Sequence, residues 1–210
     1  MGHLTHRAAV IFSGLSMLLR CCMLPPYWLV LAHARRGRAA AVRSGEATPV
    51  ECYLKPQDDG LPMRESGVWV AEKLDYLQRY IDIFTTSMHN KSWRAMHYID
   101  LFAGPGKCKV PTTHAVYLGS PLLALTAEYP FNRYFLVDLS AHNISALQAR
   151  VSASPLSDCV ECLAGDSNQI VNHLVERILA GDRARLPGRW SSLNLAFLDP
   201  DGLELRWETV

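Results

Sequence analysis

The chain has almost no net charge. Its 21 lysines and arginines nearly cancel its 20 aspartates and glutamates, leaving +1, so bulk electrostatics give no footprint for a nucleic acid. The basic excess that exists sits in residues 1–45, which hold six arginines and no acid. A membrane-length apolar run is also missing. Arg20 interrupts the apolar stretch that follows Arg7, and about 18–20 unbroken apolar residues are needed to span a bilayer. The six cysteines, Cys21, Cys22, Cys52, Cys108, Cys159 and Cys162, make no small-domain disulfide framework. Cys159 and Cys162 have the Cys-x-x-Cys form, but no second such pair and no His-x-x-x-His follows. His89, His97, His114, His142 and His173 show no ligand spacing either, so no metal site is expected and the two thiols read as a structural pair. Internal repeats and low-complexity tracts are absent.

What remains is a chain of 210 residues, 49% apolar, long enough for one domain with a real core. Residues 1–45 read as a leader outside the fold, with a signal peptide and a membrane span as alternatives. Residues 46–68 are polar and turn-rich, with Asp58-Asp59-Gly60-Leu61-Pro62 as a turn signal. Residues 70–90 read as a helix, because Val70, Leu74, Leu77, Ile81, Phe84 and Met88 recur every three or four positions. Tyr76 and Tyr80 read as core or rim packing beside that stripe.

Beyond residue 96 the pattern changes to strand–helix alternation. Strands are expected at 97–103, 133–138, 159–164 and 193–198, and helices at 120–128, 141–152 and 167–180. Ser120 reads as a helix N-cap with Pro121 at the first helical position. The nearly all-apolar stretch 193–198 suits a strand buried on both faces. Three strand–helix units and a fourth strand predict an α/β, Rossmann-like three-layer sandwich with a mostly parallel sheet. Residues 46–96 form its arm and first helix, and 97–210 its N-terminal half.

The residues that could carry chemistry stand at the strand ends. The first strand runs into Asp100-Leu101-Phe102-Ala103-Gly104-Pro105-Gly106, where glycine lets a backbone approach a ligand closely. Position 109 is lysine, not the third glycine of a dinucleotide fingerprint, which counts against NAD. A tight strand-to-helix turn explains the same glycines. The second strand ends in Asp138-Leu139, and a carboxylate there can accept hydrogen bonds from ribose hydroxyls. Asp138 lies 32 residues after Gly106, against about 20 in the simple fingerprint, and an inserted loop over 107–119 accounts for the excess. The third strand ends in Gly165-Asp166-Ser167, where Asp166 could accept from an adenine amino group. Capping the next helix is the alternative role for Asp138 and for Asp166. The fourth ends in Asp199-Pro200-Asp201-Gly202, which would also suit a simple β-turn. Lys107, Lys109, Arg183, Arg185 and Arg189 could make a basic surface, with ordinary solvated loops as the plainer reading.

Taken together, three acids and a glycine loop on successive strand ends resemble class I S-adenosylmethionine (SAM)-dependent methyltransferases. That resemblance implies Asp100, Phe102, Ala103, Gly104, Pro105, Gly106, Asp138, Leu139, Asp166 and Ser167 as cofactor-binding residues. It also implies Asp199 and Pro200 as the acceptor-facing pair. Asp199-Pro200 resembles the start of the Asp-Pro-Pro-Tyr motif of amino-group methyltransferases, which hold a flipped base, but here Asp201 and Gly202 replace its last two residues. Over residues 59–210 the chain is similar to the three-Cys-motif partner protein family. The likeness is carried by Asp59-Gly-Leu-Pro62, Lys73-Leu-Asp-Tyr-Leu-Gln-Arg-Tyr80, the segment from Tyr98 to Cys108, Gly119-Ser-Pro-Leu122, Asn194-Leu-Ala-Phe-Leu-Asp-Pro200 and Gly202-Leu-Glu-Leu-Arg-Trp-Glu-Thr-Val210. Such a family implies a cytoplasmic, methyltransferase-like protein that binds SAM and partners a three-Cys protein of radical-SAM type. Methylation of a nucleic acid and SAM binding without chemistry both follow as functional expectations. The family's sheet continues past a fourth strand, so the chain reads as incomplete there, with that strand as an exposed edge.

Overall fold

In the computed structural model, the residues described are 9–13, 52–183, 192–200 and 206. A five-stranded sheet forms the centre. Its strands are β1 (Ala9–Ser13), β3 (Met96–Asp100), β6 (Arg133–Asp138), β7 (Val160–Ala164) and β8 (Leu193–Leu198). Their order is β1-β8-β3-β6-β7; the last four run parallel, and β1 is antiparallel to β8. The parallel part of the sheet therefore starts at β3, moves outward through β6 and β7, and returns to the other side of β3 as β8. That reversal makes a topological switch point between β3 and β8, and ligands of open α/β sheets bind outside the carboxyl ends of the strands at such a point.

The connecting helices are α1 (Val70–Met88), α2 (Ser120–Leu125), α3 (Ala141–Val151) and α4 (Ser167–Arg183). A second, three-stranded sheet is built from β2 (Arg64–Glu65), β4 (Lys107–Lys109) and β5 (Val116–Leu118). Alternation along the central strands sends side chains to opposite faces. Tyr98, Tyr134, Leu136 and Leu195 pack with Leu74, Ile81 and Leu147 on one face. Ile99, Phe135, Val137 and Leu198 pack with Leu174 and Ile178 on the other. The architecture is α/β with helices on both faces of a mostly parallel sheet, as expected.

Three local expectations differ from what the fold shows. Ala9–Ser13 falls within the segment read as a leader, yet it pairs residue for residue with β8, Ala9 opposite Leu198 through Ser13 opposite Asn194. Those five residues belong to the sheet, and they cover the β8 edge that was expected to be bare. The stretch read as an inserted loop is a hairpin, Lys107 pairing Leu118 and Lys109 pairing Val116. Its turn passes through His114 at φ 57°. Gly119, not Ser120, is the N-cap of α2, and Ser120 is already helical. Among the described residues, no helix is long and apolar enough to cross a membrane.

A buried ionic cluster fastens the polar arm to this fold. Asp59, Lys107 and Arg150 have side chains with no solvent exposure. Asp59 accepts from Arg150 Nε at 2.8 Å and Nη2 at 2.7 Å, from Lys107 Nζ at 2.8 Å and from the Leu61 amide at 3.2 Å. The other Arg150 donors go to the carbonyls of Leu61, Pro62 and Pro105. Lys107 gives its remaining protons to the carbonyls of Cys52 and Gln57. Every donor of both cations is used, which is what allows charges to sit away from water. Lys107 is thus no part of a basic surface. Lys109 is partly exposed and pairs with Asp58 at 3.4 Å. The Arg183 side chain, Arg185 and Arg189 lie outside the described residues.

Removing one partner from a buried ion pair costs about 3–5 kcal/mol. Asp59→Asn should therefore lower the urea unfolding free energy by that order, and a change within about 0.5 kcal/mol, typical of surface positions, would contradict the role given to the cluster. Burial acts to raise the Asp59 pKa, but the hydrogen bonds from Arg150 and Lys107 outweigh it and hold the group at about 2, below its ordinary 3.8. Its contribution should be complete above that ordinary value and fade as pH falls through about 2.

Candidate functional site at the strand ends

The glycine loop leaves β3 and folds back on itself. The Phe102 amide donates to Asp100 Oδ1 at 3.1 Å, Ala103 to the Val137 carbonyl at 2.8 Å, and Gly104 to Asp138 Oδ2 at 2.9 Å. Gly104 has φ +61°, and a Cβ there would meet nothing within 4 Å, because it would project into open space. Gly106 has φ +93°, and a Cβ would come within 2.8 Å of Leu147 Cδ1. Both glycines are required by backbone conformation, and the second by packing as well.

Two cavities flank this loop. The larger, about 660 Å³, lies across the ends of β3, β6 and β7; Phe102, Gly104, Pro105, Asp138 and Leu139 form one side. Asp166, Ser167 and Asn168 form another part of its wall, with Arg64 and Arg206 at its margins. The smaller, about 50 Å³, shares Arg64, Phe102, Gly104 and Pro105 with it and adds Ala103, Gly106, Lys73 and Asp199. The site residues inferred from sequence are therefore gathered in one place, with two exceptions. Asp100 is fully buried behind the loop and lines neither cavity. Pro200 is half-buried and also lines neither. Asp201 and Gly202 lie outside the described residues.

The local chemistry of each acid is distinct. Asp138 Oδ1 accepts from the Ser140 amide at 2.8 Å and from Asn143 Nδ2 at 3.0 Å, while Oδ2 takes the Gly104 amide. A carboxylate has about four acceptor positions, so one is left on Oδ2 for a ligand hydroxyl. Ser140, not Asp138, caps α3 through the Asn143 amide at 3.3 Å. Asp166 does cap its helix: Oδ1 accepts from the Asn168 amide and side chain, both at 2.9 Å. Among the described residues its Oδ2 has no partner. Leu139, beside the acids, is 76% exposed, a large apolar side chain standing in the open cavity. Ser167 is turned away, its hydroxyl donating to the Leu101 carbonyl.

Asp199 makes a contact that sequence reasoning missed. It is ion-paired with Lys73, 126 residues away on the first turn of α1. Lys73 also stands 5.2 Å from the Trp69 ring centroid. Lys73 is not one of the stripe residues, so the periodicity placed it with the polar residues of α1 and gave no hint of a distant acid. Trp69, Tyr76 and Tyr80 follow the same face outward; Tyr76 is 63% exposed, so it is not core, whereas Tyr80 packs against the core. Cys162, in β7, has its thiol pushed up to about 11 by burial, and both it and Cys159 are free. Among the described residues no cluster could hold a metal ion.

Comparison with known proteins gave no match: no family model, no curated protein and no solved structure matches the chain.

Asp100 provides a stability test of the loop's support. Burial raises its pKa to about 7; hydrogen bonds from Ser120 and the Phe102 amide oppose the shift, and negative Asp199 adds to it. The folded state then keeps a proton that an unfolded aspartate, at 3.8, has released. Its contribution to stability should fall as pH rises from 3.8 to about 7 and then level off. Urea unfolding across this range should show wild type losing stability relative to Asp100→Asn as pH rises, whereas parallel curves would mean that Asp100 is ionised throughout.

Proposed function

We propose that the strand-end cavity binds SAM and that the chain is a methyltransferase-like protein. The observation that carries this is the combination of acid-tipped strands with a glycine loop whose amides from Phe102 to Gly104 are already bonded within the protein. Phosphate-binding loops aim free N–H groups at the ligand. Here the amides of Phe102, Ala103 and Gly104 all donate within the protein, and Pro105 has none. The α4 N-terminus is likewise occupied, by the Asp166 carboxylate. Such a site disfavours a dinucleotide or nucleoside triphosphate and suits a nucleoside that carries no phosphate and a positive charge.

The residues present fit that cofactor. Asp138 Oδ2 retains one acceptor position for a ribose hydroxyl, and Asp166 Oδ2 is placed on the cavity wall for an adenine amino group. Leu139 and Phe102 offer apolar surface to a flat ring. Gly104 keeps the wall between the two cavities free of a side chain. When bound, SAM supplies an activated methyl group, so the protein's task is to hold it and exclude competing geometry. The partnership with a three-Cys protein, a cytoplasmic setting and a nucleic-acid acceptor are carried forward from the sequence resemblance as parts of the same proposal. A second reading, binding without chemistry, is favoured by Asp199, which is tied up in an ion pair and not poised as a base.

Calorimetric titration of SAM and S-adenosylhomocysteine into the full chain tests the site. Saturable binding is expected, weakened ten-fold or more, roughly 1.4 kcal/mol, by Asp138→Ala. Leu139→Ala, at an exposed position, should weaken binding several-fold while leaving the melting temperature unchanged. A folded protein that binds neither compound would refute the proposal.

A further inference from the structure

We propose that Lys73 and Asp199 form a matched pair of charges for the amino-acid end of the cofactor, Lys73 taking its carboxylate and Asp199 its ammonium. This inference rests on the cofactor reading above and assigns two residues to a part of the ligand that the strand-end acids do not reach. It also gives Asp199 a different task from the acceptor-facing one suggested by its Asp-Pro dipeptide.

The pair sits where that end of the ligand would arrive. The nucleoside features, Asp138, Leu139 and Asp166, line the larger cavity and not the smaller. Lys73 and Asp199 line the smaller and not the larger, across the wall of Gly104 and Pro105 common to both, and Lys73 also borders the open groove beside Tyr76 and Tyr80. The larger cavity lies at the ends of β3, β6 and β7 and the smaller one beside the ends of β3 and β8. A ligand with a nucleoside at one end and a free amino acid at the other has the length and the polarity to occupy both.

The pair also differs from the ion cluster that holds the fold. Asp59, Lys107 and Arg150 are sealed from solvent, with every donor used inside the protein. Lys73 and Asp199 keep 19% and 16% of their side-chain surface exposed, on a cavity wall. A free amino-acid headgroup is itself a zwitterion. On binding, the one protein ion pair exchanges for two ligand ion pairs, and no uncompensated charge is buried. Trp69 supports the exchange, because its ring remains against the Lys73 ammonium while Asp199 changes partner. Lys107, the other lysine on this wall, cannot do the work, since its protons are committed to Asp59, Cys52 and Gln57.

The test compares two ligands that share the nucleoside and differ at this end. S-adenosylhomocysteine has the amino acid, and 5′-methylthioadenosine does not. Wild-type chain should bind the first at least ten-fold more tightly. Lys73→Met and Asp199→Asn should each erase most of that ratio and change methylthioadenosine affinity less than two-fold, which also reports that the variants are folded. The charge-swapped double variant, Lys73→Glu with Asp199→Lys, can re-form an ion pair between α1 and β8 but meets the ligand with the wrong charges. It should bind methylthioadenosine normally and homocysteine-bearing ligand weakly. A swap that restores wild-type selectivity would overturn the proposal in favour of a structural pair. So would a wild type that binds both ligands equally, in which case the cofactor reading still stands. Failure of the wild type to bind either ligand would overturn both.

Discussion

One carboxylate holds this molecule's arm, loop and helix together. Asp59 accepts hydrogen bonds from Arg150, Lys107 and the Leu61 amide, and all of its oxygen lone pairs are engaged. Arg150 comes from α3, Lys107 from the strand after the glycine loop, and Asp59 from the polar arm. Arg150 also donates to the Pro105 carbonyl, the residue between the two glycines. The conformation of the loop is thereby fixed from beneath by a charged cluster and from the side by Asp138. Buried ionic groups are expensive and gain little over apolar packing. What they provide here is a single geometry for a loop that contains two glycines and would otherwise have many.

That geometry decides what the site can accept. Strand order places the ends of β3, β6, β7 and β8 around one crevice, and each contributes its terminal residues. Internal bonding of the Phe102, Ala103 and Gly104 amides takes those N–H groups away from any phosphate. Acids at the ends of β6 and β7 favour hydroxyl, amino and cationic groups over anions. The Lys73–Asp199 pair adds one charge of each sign to the smaller cavity, across the loop from these acids. Each of these features is an ordinary local arrangement, and their placement on successive strand ends gives the crevice its chemical character.

The helices were legible because their apolar residues repeat every three or four positions, and the central strands because they are short, mostly apolar runs between them. β6 and β8 have the limits expected for them, Arg133–Asp138 and Leu193–Leu198. The strand-end acids were legible because each follows an apolar run directly. Long-range polar partners were not. Nothing in Asp58-Asp59-Gly60 announces that Asp59 is sealed against Arg150, 91 residues away, since the same letters encode an exposed turn. Lys107 and Lys109 look alike in sequence, yet only Lys109 retains contact with solvent. The β4–β5 hairpin was read as a loop because three-residue strands are too short to show alternation. Ala9–Ser13 was set apart on composition, and composition carries no information about which edge a strand will find.

That the described strand ends form a single ligand site with distinct halves is open to direct measurement. It is tested most directly by mapping amide chemical shifts of the isotopically labelled chain during titration with S-adenosylhomocysteine. Perturbations should concentrate at Gly104, Leu139, Ser140 and Asn168 in the larger cavity and at Lys73 and Asp199 beside the smaller one. Amides near the exposed Arg177–Glu161 ion pair, elsewhere on the surface, should stay fixed. Shifts confined to one cavity would contradict the two-ended site, and shifts centred away from both would contradict any ligand site at the strand ends.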